Sequence, residues 1–446
     1  MKKIEKGPAY QTVFANEKSA GRIMKIVFNP QFNELVNRIN ENYYYWDKVK
    51  YLPTIDDILP IEVWAIAKLR RNNSPFNVQF GEYQFSWFLN SKIQELLHRF
   101  DLNIGGNLES RSLIPKDEKN RYLVSSIMEE AIASSQIEGA VTTRKQAKEM
   151  LRKNKPPKNK SEQMIMNNYR TIKRILEIKG DDLTTDRIFE IHQIISSDTL
   201  SHKDEEGAFR KSNDINVIDV VDGNIVYTPP DYNKIPILIN ELCAFFNDEK
   251  KDNTFIHPII KGCIIHFMIG FIHPFVDGNG RTARALFYWY LLKNGYWLTE
   301  YLSISKLILK SKAQYAKAFI YTEIDEHDLT YFIKYKLRTM DLAFQSLREY
   351  IQRKIEEKKQ VSEFIKIEGV NDRQALILKW YYEEDSLLLT VKEVETRLTI
   401  SNQTSRTDLQ GLVNLGFLGS ININLKTEAF IKSENFDNLL RIKLKK

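Results

Sequence analysis

The segment His273–Arg284, HPFVDGNGRTAR, gathers an imidazole, a carboxylate, a run of permissive backbone and two guanidinium groups within a dozen positions. Glycine takes positive φ at little cost, so Gly278, Asn279 and Gly280 can turn successive N–H groups toward one point and form an anion nest. The residues from about Thr282 to Asn294 have the pattern of a helix stopped by Gly295 at its C′ position. The nest therefore falls at a helix N-terminus, where unpaired N–H groups and the macrodipole favour phosphate. Arg281 and Arg284 lie three residues apart in the first turn, which puts them on one face, able to grip neighbouring phosphates. Asp277 offers a hard oxygen ligand for Mg²⁺ beside those phosphates, and His273 is a base that works at neutral pH. Pro274 disfavours helical geometry at the residue before it, which places His273 at the end of the preceding apolar helix. These residue types at this spacing describe a site for phosphoryl or nucleotidyl transfer.

Helices must position that segment. Apolar periodicity predicts them at about 163–179, 184–198, 234–248, 257–272 and 281–294, with more to about residue 357. His257 and His266, in or beside the apolar run before the motif, read as capping or core residues. A further helix runs from Arg121, with Leu123, Ile127 and Ala131 on one face, and Gly139 is placed to end it. The prolines and lysines of 151–163 mark an exposed loop. Between the helices, DINVIDVVDGNIVYTPP predicts two short strands, Ile215–Val220 and Ile225–Tyr227, around an Asp222-Gly223 turn. The first 95 residues are rich in aromatics (Tyr43, Tyr44, Tyr45, Trp46, Trp64, Trp87) and read as a helical N-terminal region. From Asp372 three helical segments, DRQALILKWYYEE, TVKEVETRL and SNQTSRTDLQGLVNLGFL, precede a wing-like GSININLKTEAFIK, with Ser401 as N-cap of the third.

At 446 residues, two or three domains are expected, and 43% hydrophobic with 28% charged residues is the balance of a globular protein in water. The net charge of +7 is small beside 65 basic and 58 acidic residues, so it permits a nucleotide or nucleic-acid partner without requiring one. Two cysteines, Cys243 and Cys263, make no disulfide framework. The N-terminus lacks an apolar signal core, and CIIHFMIGFI is too short to span a bilayer, so a cytoplasmic protein without membrane contact is expected.

The segment resembles the Fic-family motif HxFx(D/E)GNGRxxR, matched at His273, Phe275, Asp277, Gly278, Asn279, Gly280, Arg281 and Arg284. The resemblance implies a Fic-type helical core with a β-hairpin flap, and an enzyme that transfers AMP from ATP to a Ser, Thr or Tyr hydroxyl of a target protein, itself included. It implies that His273 takes the hydroxyl proton, that Asp277 holds Mg²⁺, and that Gly278, Asn279 and Gly280 form the anion hole. Arg281 and Arg284 match the arginines on the β- and γ-phosphates, and Phe275 is the loop's apolar anchor. Upstream, SSQIEG resembles the family's inhibitory pattern (S/T)xxxE(G/N) at Ser134, Glu138 and Gly139. Ser134 and Glu138 are four apart and share a helix face, and a carboxylate in a last turn is disfavoured by the dipole unless a cation offsets it. By resemblance that cation is Arg284, and the pairing would deny it to the γ-phosphate. The hairpin at 215–227 lies where the family carries its flap, which pairs with a target by strand addition, and GAFRK (207–211) resembles the approach to it.

The expectation is thus a mainly α chain: a helical N-terminal region over 1–95, a Fic domain over 96–357 that includes the inhibitory helix at about 121–139, and a domain over 358–446 resembling a winged helix-turn-helix. The last has two open readings. Asn402, Gln403, Thr404, Ser405, Arg406 and Thr407 on the third helix suit DNA contact through 372–430, whereas Glu393, Glu395 and Asp408 oppose it and leave dimer or partner contact equally open. A homodimer is expected. Three alternatives to auto-inhibited AMP transfer stand beside it: another nucleotide donor, removal of AMP, or a regulator acting through the C-terminal region.

Overall fold

The computed structural model describes residues 4–53, 55, 57–73, 75–105, 119–218, 223, 225–248, 255–424 and 427–444. The N-terminal stretch forms α1 (Tyr10–Phe14), α2 (Glu17–Ile26), α3 (Pro30–Asn42), α4 (Trp46–Val49) and α5 (Pro60–Arg71), then the hairpin β1 (Phe76–Phe80) and β2 (Tyr83–Trp87), then α6 (Ser91–Asn103). Next come α7 (Lys119–Ile137), α8 (Arg144–Arg152), α9 (Lys160–Ile178) and α10 (Thr185–Ser196). The short strands β3 (Val217–Ile218) and β4 (Ile225–Tyr227) precede α11 (Ile235–Phe246), α12 (Pro258–Ile272) and α13 (Asn279–Lys293). Helices α14 (Ile304–Lys310), α15 (Lys312–Ile324) and α16 (Thr330–Ile365) follow. The chain divides into two compact units, Met1–Leu347 and Arg348–Lys446, with the boundary inside α16. The protein is mainly helical, as expected, and among the described residues no helix is long and apolar enough to cross a membrane.

In the first unit α12 and α13 form the centre. Both are buried around nearly their whole circumference, which is why PIIKGCIIHFMIGFI has no polar stripe. Helix α15 lies along α12 so closely that a Cβ on Gly270 would stand 2.6 Å from the Phe319 ring and would force that ring to shift. His257 is the N-cap of α12, its Nδ1 accepting from the Ile259 amide at 3.2 Å, and His266 is an interior residue with Nε2 2.7 Å from the Tyr315 hydroxyl. Helices α9 and α10 start where Asn159 and Thr184 side chains accept first-turn amides.

The N-terminal region differs from the all-helical expectation. Residues 76–87 form an antiparallel hairpin in the register Phe76↔Trp87, Val78↔Phe85 and Phe80↔Tyr83. Their period-two alternation of large apolar residues is the strand pattern, and Gly81, at φ +56°, supplies the turn. The tip is pinned where the Gly81 amide donates to Glu241 Oε2 on α11 at 2.6 Å. The aromatics around it are core: Tyr45 lies between Trp64 and Tyr331, and the buried Arg71 donates to the Tyr331 hydroxyl at 2.9 Å.

The second unit contains α17 (Asp372–Glu383), β5 (Leu388–Thr390), α18 (Val391–Leu398), α19 (Asn402–Asn414), β6 (Leu418–Asn424), β7 (Thr427–Lys432) and α20 (Phe436–Leu444). Its sheet has the order β5-β7-β6, with Leu389 opposite Phe430 and Ile421 opposite Ala429. Leu378, Tyr381, Leu389, Val394, Leu409, Leu412 and Phe430 make one core. Between the first two expected helices, Leu388–Thr390 pairs as β5 because Leu389 is buried on that core while its backbone pairs along the edge of β7.

Candidate active site

Helix α12 ends at Ile272, and His273 takes the left-handed conformation (φ 49°, ψ 56°) as its C-cap, with its amide still on Ile269 O at 3.0 Å. A residue with a Cβ is strained in that conformation by roughly 1–2 kcal/mol, so surrounding contacts must hold it. They do: Arg210 Nε donates to His273 O at 2.9 Å, and the Arg210 amide donates to Pro274 O at the same distance. Burial pushes the His273 pKa below its ordinary value, with Arg210 adding to that and Glu138 and Asp277 opposing it. The imidazole is therefore neutral near pH 7 and able to accept a proton.

The loop after it is closed by its own side chains. Asn279 Oδ1 accepts from the Phe275 amide at 2.9 Å while its Nδ2 donates to Phe275 O at 2.8 Å. The Asn279 amide group is thus a clamp, and only the backbone of that residue remains for an anion. Phe275 is fully buried and stacks on the ring of His192 (3.6 Å between centroids, 2° between planes). His192 Nδ1 accepts from the Gly207 amide at 3.0 Å, so its Nε2 carries the proton and donates to Asp277 O at 2.9 Å. Burial holds its pKa at about 4, which keeps it neutral. Gly278 is the N-cap of α13 at φ +87°, where a side chain would also crowd His192.

Helix α13 begins at Asn279, two or three residues before the expected start. Its first intrahelical bond is Thr282 N–H to Gly278 O at 2.9 Å, which leaves the earliest amides open at the N-terminus. Into that cradle comes the carboxylate of Glu138: a Cβ built on Gly280 would collide with Glu138 Oε1. Glu138 follows directly on α7, which Gly139 ends at φ +95°. Arg284 Nη2 donates to Glu138 Oε1 at 2.8 Å and to Ser134 O at 3.0 Å, and its Nε donates to Ser134 Oγ at 2.8 Å. Burial works against the Arg284 charge, yet Glu138, with Tyr315 and Glu130 behind it, holds the pKa above the ordinary value.

The two arginines reach different neighbours. Arg281 is wholly buried, donates from Nη1 to Ile195 O at the end of α10 at 2.9 Å, and lies 3.5 Å from Asp277. Three residues of helix turn the second guanidinium toward α7 and the first toward α10. Asp277 is half-exposed and accepts from the Gly278 amide at 2.6 Å. Among the described residues no cluster of three or more His, Cys, Asp or Glu forms a ready metal cage.

Helix α7 is anchored along its length. Asn168 Nδ2 donates to Ala131 O at 3.2 Å, Ser135 Oγ to Met164 O at 3.1 Å, and Lys312 Nζ to the carbonyls of Gln136 and Ile137 at 3.0 and 3.1 Å. Glu130, one turn before Ser134, is buried and accepts from the Ser305 amide at 2.9 Å. The expected hairpin is present as β3–β4, with the Tyr227 hydroxyl donating to Phe271 O at 2.8 Å; Asp222 lies outside the described residues. His192, Glu130 and Lys312 escaped the sequence reading, as did the role of Arg210, because each acts through a partner distant in the chain.

The helices thus bring a neutral imidazole, the Asp277 carboxylate and the N-terminus of α13 into one short segment. Residues 182–291 match the model of the Fic/DOC family. It is 35% identical over 120 residues to a protein adenylyltransferase Fic of Aedes aegypti, a match covering 26% of this chain and 21% of that relative. With the same-named protein of Nematostella vectensis it shares 34% over 120 residues, covering 26% and 25%. The chain thus spans about a quarter or less of the curated relatives it matches. Among solved structures, a Fic family protein from Desulfovibrio desulfuricans G20 has the same fold, with a TM-score of 0.50 at 19% identity, covering 79% of this chain and 99% of that one.

Proposed function

We propose that this protein transfers AMP from ATP to a Ser, Thr or Tyr hydroxyl of a protein, and that Glu138 holds the activity off. The observation that carries the reading is the Glu138 carboxylate seated over Gly280 and bonded to Arg284 at 2.8 Å, in the place an anionic phosphate would take. In the reaction, neutral His273 accepts the proton of the acceptor hydroxyl. The oxygen bonds to the α-phosphorus, the bond from phosphorus to the bridging oxygen breaks, and pyrophosphate leaves with that electron pair. The first amides of α13 stabilise charge on the phosphate oxygens, and Arg284, once released, binds the terminal phosphate. Asp277, half-exposed and the lone carboxylate of the loop, suits Mg²⁺, which takes one protein carboxylate with phosphates and water and would supply charge neutralisation there. The test is labelled ATP with wild type, Glu138→Gly and His273→Ala. Strong labelling of protein by the glycine variant alone is expected; equal labelling by all three removes the reading.

A second reading, DNA contact by a winged-helix domain in the C-terminal unit, is favoured by α19. Its exposed side chains are Asn402, Gln403, Arg406, Thr407, Gln410 and Asn414, donors and acceptors of the kind that read base edges. The acidic neighbours are engaged within the unit: Asp408 is buried against Arg373 at 2.6 Å, Glu393 closes the capping box of α18, and Glu395 accepts from Asn402 at 3.1 Å. Salt-sensitive binding of random-sequence duplex DNA, weakened by Arg406→Ala, is expected. Absence of any such binding at low salt removes this reading.

A further inference from the structure

The carbonyls at the end of α12 belong to the helix terminus and have no intrahelical donor. Phe271 O accepts from the Tyr227 hydroxyl, His273 O from Arg210 Nε, and Pro274 O from the Arg210 amide. The same guanidinium reaches both feet of the hairpin. Nη1 donates to Ser212 O at 2.7 Å and Asn213 Oδ1 at 3.2 Å, before β3, while Nη2 donates to Pro230 O, after β4. Asn213 then stitches the feet together, accepting from the Tyr232 amide at 2.9 Å and donating to Asp231 Oδ2 at 2.8 Å. Arg210 is only 3% exposed, and its contacts use the planar fork that an ammonium lacks.

We propose that Arg210 is a positioning residue that keeps the hairpin flap and His273 in register, so that an acceptor segment laid along the flap presents its hydroxyl to the base. The inference rests on the AMP-transfer reading for its use, although the link itself is independent of the donor. One rigid group holds the strained His273 backbone and both ends of the flap, so a shift of the flap is transmitted to the base. The charged groups bearing on His273 are Arg210 from the segment before the flap, Glu138 from the end of α7 and Asp277 from its own loop. Of these, Arg210 alone disfavours the imidazolium.

The experiment compares Arg210→Lys and Arg210→Gln with their parent, all in Glu138→Gly protein. Amide exchange across 212–218 and 225–231 should quicken in both variants while α12 and α13 keep their protection. The imidazole resonance of His273, assigned with His273→Asn, should titrate at higher pH in Arg210→Gln and at the parental pH in Arg210→Lys. Self-labelling with labelled ATP should fall on the order of a hundredfold in both, the scale of a misplaced reactant, with Mg-ATP affinity unchanged by calorimetry. Parental exchange and titration in both variants would overturn the link, and so would a general loss of protection with lost Mg-ATP binding, which marks a merely structural residue. Should the parent itself transfer nothing while the exchange and titration shifts appear, the AMP-transfer reading fails and the link stands.

Discussion

Replacing Glu138 with glycine should weaken the resting protein and enlarge its response to nucleotide. Arg284 is 2% exposed and the Glu138 side chain 28%. Stripping the partner from a fully buried ion pair costs roughly 3–5 kcal/mol. Here water reaches Glu138, and the two oxygens of Ser134 still accept from Arg284. The expected loss is therefore about 1–2 kcal/mol, between the values for buried and exposed pairs. In such a large unit this is a fall in apparent Tm of a few degrees at most. The vacated cradle then takes the terminal phosphate, and nucleotide at a hundredfold excess over Kd adds about 2.7 kcal/mol. Wild type must displace its own carboxylate first, so it gains less. Thermal unfolding against Mg-ATP concentration should show the variant starting below wild type and overtaking it, with Glu138→Gln between them. If the variant melts at or above wild type without nucleotide and responds to Mg-ATP equally, the pairing is not coupled to phosphate binding and the argument fails.

Three further outcomes follow from the geometry. Asn279→Ala leaves the buried amide and carbonyl of Phe275 without partners, at about 1–3 kcal/mol each, so a lower Tm and lost labelling are expected even with Glu138→Gly; retained labelling would contradict the clamp. Gly280→Ala puts a methyl where Glu138 Oε1 now sits, which ejects the carboxylate but also obstructs a phosphate, so it should not activate; activation equal to Glu138→Gly would show that phosphate binds elsewhere. Because burial lowers the His273 pKa, labelling by Glu138→Gly should fall only on the acid side of the ordinary histidine value, as protonation removes the base, and stay level through neutral pH; a fall centred above that value would assign the limb to another group.

The motif was legible because its chemistry is contiguous: the helix stop before Pro274, the positive φ of Gly278 and the start of α13 are all local consequences of local residues. The Ser134–Glu138 spacing was legible for the same reason, since one turn of helix sets both side chains toward one partner. The separate neighbours of Arg281 and Arg284 were not legible, because helix phase says which residues share a stripe and not which neighbours pack over it; α10 and α7 decide that. His192 and Arg210 are single residues in unremarkable runs, and their meaning comes from loops some sixty to eighty-five positions away. The hairpin at 76–87 was overlooked although its alternation is in the sequence, because dense aromatics suit a buried helix and a buried strand equally well.

The seat of Glu138 over α13 has a further consequence. A carboxylate tethered to the same chain is a competing ligand whose local concentration is set by the tether, on the order of millimolar for short connections, and dilution cannot lower it. Its affinity is therefore written into whatever fixes α7: Lys312 on the carbonyls of Gln136 and Ile137, Ser305 on Glu130, and Asn168 on Ala131. With Glu138 holding off nucleotide as proposed, raising ATP alone contends with that occupant at every concentration, whereas loosening one of these anchors lowers the occupant's effective concentration without changing Glu138 or Arg284.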